Sequence, residues 1–69
     1  MSTIIGIDYG SDRGDMSVYT VAQRKGDSLH IIDSGKINDF DYTKYVATEH
    51  QVIGEKEHLE KFKAQFMSK

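Results

Sequence analysis

The chain has 69 residues, 38% hydrophobic and 29% charged, without Cys, Pro or Trp, and nine Lys and Arg against eleven Asp and Glu leave a net charge of -2. That length holds one small domain near the lower limit for folding alone, which excludes two-domain clefts and barrels. The lack of Cys excludes a disulfide scaffold and a thiolate zinc site, no uncharged run is long enough to span a membrane, and the acidic balance speaks against coating nucleic acid.

The opening Met-Ser-Thr leads into a β-like run with no basic leader, so the expected location is the cytoplasm. Thr3–Tyr9 is short, β-branched and stops at Gly10, and reads as a first strand. Gly10-Ser-Asp-Arg-Gly14 then reads as a hairpin loop. Asp15–Ala22 alternates, with Met16, Val18 and Thr20 on one side and Ser17, Tyr19 and Val21 on the other, as a half-buried strand does. Gln23-Arg-Lys-Gly-Asp27 suits a second hairpin with a left-handed position at Gly26. Ser28–Ile37 is the third run. Asn38–Asp41 links to the second half, with Asp39 or Asp41 placed to cap a helix.

Charge is shared evenly, with four basic and five acidic residues over 1–37 and five and six over 38–69. The two stretches differ instead in glycine, which is concentrated in the first, and in helix formers, which gather in the second. Over Glu55–Met67, Leu59, Phe62 and Phe66 recur at i, i+3, i+7, with Glu55 and Glu57 early and Lys63 and Lys69 late, as a helix favours. Over 41–53, Tyr42, Tyr45, Val46, Val52 and Ile53 fit a helical face. Tyr45, Val52, Leu59 and Phe66 are spaced by seven, which favours one helix running through Gly54. The alternative is a strand over 44–53, which Val46, Thr48, Val52 and Ile53 permit. The expected architecture is α+β in one domain: a three-stranded antiparallel meander over 1–37, packed by one or two C-terminal helices within 38–69.

The strand Ile4-Ile-Gly-Ile-Asp-Tyr-Gly-Ser11, followed by Gly14-Asp-Met-Ser-Val-Tyr19, resembles the opening hairpin of the ribonuclease H-like superfamily. Heat-shock chaperones, actin and sugar kinases share a similar opening. The nuclease domain of phage terminase large subunits is closer in look, and the resemblance extends over about the first 37 residues. It implies that Asp8 binds a divalent metal, Mg or Mn, with carboxylates from other elements, because a pair of hard cations needs several oxygens around it. Asp15 and Asp33 are the nearby candidates on predicted strands. Gly10, Ser11 and Gly14 could present backbone N–H groups to an anion, although Asp12 and Asp15 oppose this.

Other residues carry plainer readings. His30, His50 and His58 form no pair at metal-ligand spacing, and no serine or threonine has a triad pattern. Arg24, Lys25 and Lys36 read as solvated positions. Tyr45, Val52, Leu59, Phe62 and Phe66 read as core, and any part left uncovered would form an interface with a second copy. An open sheet edge would favour the same homodimer. The expected function is non-enzymatic binding of another protein, in a phage or prophage setting that rests on the resemblance, with no cofactor and no membrane. The alternative is a metal-dependent nuclease-like protein or remnant using Asp8 with Asp15 or Asp33, within one chain or across a dimer.

Overall fold

The computed structural model describes residues 2–10 and 16–67. Strands β1 (Ser2–Asp8), β2 (Val18–Lys25) and β3 (Ser28–Lys36) form an antiparallel meander. A short strand β4 (His50–Ile53) adds to β1 in parallel, so the sheet runs β3-β2-β1-β4. Helix α1 (Lys56–Phe62) follows and continues into a π-helical turn, Lys63–Met67. The class is α+β, but the sheet has four strands and is mixed, where a three-stranded meander was expected.

The hairpin between β2 and β3 is tighter than its polar sequence indicated. Its loop is Gly26-Asp27 alone, with Gly26 at φ 60°, a conformation that costs glycine little because it has no Cβ. Between β3 and β4 lie two 3-10 turns, Ile37–Asp39 and Tyr42–Lys44. Asp41 caps the second turn by accepting from the Thr43 N–H and hydroxyl.

The helix expected through 41–53 is therefore replaced by a 3-10 turn and a strand. The seven-residue spacing of Tyr45, Val52, Leu59 and Phe66 is real, but it collects residues from four different pieces of backbone that face one core. Two local facts decide against the helix. The edge of β1 offers unpaired backbone groups that β-branched Val52 and Ile53 can pair with. Gly54 also passes so close to β1 that a Cβ there would lie 3.0 Å from Ile7 Cγ1 and 3.1 Å from its carbonyl oxygen.

The core lies on one side of the sheet. Ile5 and Ile7 of β1 and Tyr19 and Val21 of β2 point into it, and Ile37, Phe40, Tyr42 and Phe62 close over them. Phe40 is central, with its ring centroid 4.5 Å from Tyr19, 5.6 Å from Phe66 and 5.8 Å from Tyr45. Phe62 and Phe66, four residues apart, meet at 4.7 Å. Tyr42 is fixed at its polar end: its hydroxyl and His50 Nε2 are 2.7 Å apart, while His50 Nδ1 lies 2.8 Å from the Thr48 carbonyl. Because that carbonyl only accepts, Nδ1 carries a proton, and the neutral ring takes the Tyr42 hydrogen at Nε2.

Candidate functional surface

Asp8 ends β1 on the side of the sheet away from the core, and its side chain is 76% exposed. Its neighbour is His58 on α1, with Nδ1 3.7 Å from Asp8 Oδ1. The same nitrogen lies 3.4 Å from the Tyr9 backbone N–H, which donates to it when the ring is neutral. His58 therefore has two alternative partners, an N–H when neutral and a carboxylate when protonated. Helical spacing alone would not pick it out, since it contacts the end of β1 only after α1 folds back along the sheet.

Asp33 lies elsewhere. It sits opposite Val21, on the core side, where it accepts from the Tyr19 hydroxyl at 3.0 Å and from the Ser34 N–H at 2.9 Å. Burial, and then that bond to Asp33, push the Tyr19 phenol up from its ordinary pKa of 10.0. Asp8 and Asp33 thus occupy opposite faces and do not meet within one chain. Asp15 lies outside the described residues, as do Ser11 and Gly14. Among the described residues no three His, Cys, Asp or Glu gather as a metal site would require. The Gly10 N–H is engaged by Ser17 Oγ at 2.8 Å, so it is not directed to an anion.

The stripe expected as a possible interface turns inward. Phe62 is 1% exposed, and Tyr45, Val52, Leu59 and Phe66 are half-buried against the core. The surface available to a partner lies on the other side of the sheet. On it lie Ile4 and Gly6 of β1, Val18, Thr20, the buried Ala22 and the exposed Arg24 of β2, Leu29 and Ile31 of β3, and Ile53 of β4. Leu29 is 59% exposed, Ile31 69% and Ile53 46%, and Ile32 is exposed beside them. Gly6, Val18, Thr20 and Ile53 line a shallow depression on this face, next to Asp8. A signal for it exists in the sequence: β1 carries isoleucines on both sides of the strand, as strands covered on both faces do.

No helix among the described residues is long and apolar enough to cross a membrane. Comparison with family models, curated proteins and solved structures finds no match for this chain.

Proposed function

We propose that this chain is a non-enzymatic module that binds another protein through the apolar face of its sheet. The supporting observation is the face opposite the helix, where Leu29 and Ile31 are exposed at the β3 edge and Ile53 at the β4 edge, with Ile4 and Ala22 bridging them across the middle strands. Grouped exposed apolar side chains on a folded chain mark contact surfaces, whereas single ones are ordinary. The partner suited to it presents an apolar surface, since Asp8, Arg24 and Lys36 stand at the margin and the centre is uncharged. The phage or prophage setting belongs to this reading through the resemblance alone.

Photo-crosslinkers placed at Ile31, at Ile53 and, as a control, at Glu60 on the exposed side of α1 test it in the cell of origin. Adducts of one defined mass at the two sheet positions and none at Glu60 support the reading. Adducts at all three positions, or at none, overturn it.

A second reading draws on Asp8 and His58. An exposed carboxylate at the end of a strand, beside an imidazole, is a place where a divalent cation could be held in a nuclease-like protein, with Asp15 or a second copy supplying further oxygens. Amide NMR shifts at Asp8, Tyr9 and His58 on adding Mg or Mn, lost in Asp8→Asn, would support this reading. Unchanged spectra would remove it.

A further inference from the structure

We propose that β3 pairs edge to edge, antiparallel, with β3 of a second copy, in the register that sets Ile31 opposite Ile32. This inference concerns the free edge of the sheet and is independent of what the open face binds. β3 is an outer strand of nine residues, eight of them exposed, and it carries no proline to blunt it. Exposed edges are templates for strand addition, and the bulge at Ile32 limits the registers this one can accept.

The register follows from a bulge. Asp33 pairs with Val21 and Ile31 with Ala22, so Ile32 is the extra residue. Facing reverses across it. Before the bulge His30 is on the core side and Leu29 and Ile31 on the open side; after it Asp33 and Gly35 are on the core side and Ser34 and Lys36 on the open side. Residues opposite one another in an antiparallel pair must share a face. A regular strand meets its own copy only in registers that pair odd positions with odd and even with even. Here the parity inverts midway, and one register keeps the faces matched along the whole strand: Ile31 opposite Ile32, Leu29 opposite Ser34, Ser28 opposite Gly35.

In that register the turn residue Asp27, just beyond the strand, comes level with Lys36 of the second copy, and His30 lies opposite Asp33 on the core side, each pair occurring twice by symmetry. A slip of two residues either way loses both pairs and sets residues of opposite faces together at the centre. The resulting sheet has eight strands, with the open faces of both copies on the same side. The chemistry that selects a second copy is therefore apolar at the centre of the edge and complementary in charge at both ends.

Sedimentation of the full chain over a concentration series tests association, and a charge swap tests the register. The wild type is expected to dimerise. Lys36→Asp should weaken the dimer by roughly 3- to 30-fold, and adding Asp27→Lys should restore it. Because the chain has no native cysteine, an equimolar mixture of Leu29→Cys and Ser34→Cys reports register independently under mild oxidation. Both positions are exposed, and circular dichroism confirms that each variant folds. Cross-links between unlike variants should predominate. A monomer at every concentration, a dimer indifferent to Lys36→Asp, or mainly like-with-like cross-links would overturn the proposal.

Discussion

The two faces of this sheet are built from the same strands and nearly the same residues, yet one is sealed and the other bare. On β1, Ile5 and Ile7 are buried in the aromatic core, while Ile4 and Gly6, one residue away, are partly exposed on the open face. The difference comes from the second half of the chain. Phe40, Tyr42, Phe62 and Phe66 all go to one side, and among the described residues no element returns across the other. A domain of this size can form one well-packed layer, and the opposite face is then left uncovered.

The sharpest way to break that comparison is to truncate one apolar side chain on each face. Phe62→Ala should cost about 3–5 kcal/mol, enough to unfold much of so small a domain, as thermal circular dichroism will show. Ile31→Ser should change stability by no more than about 0.5 kcal/mol in the same melt, because its side chain is already in water. Equal losses at the two positions would mean that the open face is covered.

Gly54→Ala sharpens the same boundary from the backbone side. Its methyl would press on Ile7 Cγ1 and the Ile7 carbonyl, and neither is the free end of a flexible chain. A loss of about 1–3 kcal/mol is expected, read as a lower urea midpoint at unchanged slope.

The smallest effect concerns Tyr19. Its raised pKa means that the folded chain keeps the phenolic proton where the unfolded chain releases it. This group's contribution is complete below about pH 10 and is lost as pH rises through the folded value. Tyr19→Phe should cost about 1 kcal/mol at neutral pH through the lost bond to Asp33, and it should flatten the alkaline fall in stability. The remaining slope would include Tyr9, whose pKa burial also raises.

Much of the fold was legible in the sequence, because its signals are local. Alternation in β1 and β2 identified the strands, and the i, i+3, i+7 spacing of Leu59, Phe62 and Phe66 identified the helix. β4 was not legible as the better choice. It has four residues, only two of them apolar, and its partner strand begins more than forty positions earlier. Phe40 was hidden for a related reason: it lies in a link with no periodicity, and only the folded chain shows it at the centre of the rings. The relation of Asp8 to Asp33 depended on register, and counting alternate residues along β3 fails at Ile32, where the bulge reverses every later side chain. His58 came to Asp8 through tertiary folding, which no spacing within α1 encodes.

The parallel pairing of β1 with β4 bears on how the chain is made. β1 precedes β4 by more than forty residues, so it waits for its second neighbour, and the ring-bearing helix comes later still. Until His50–Ile53 has emerged, the nascent meander has two bare edges, and Ile5 and Ile7 have no lid. Contacts so distant along the chain are slow to close, and exposed strands invite aggregation in the interval. A chain interrupted before Gly54 would therefore leave β1 with an unpaired edge and uncovered isoleucines.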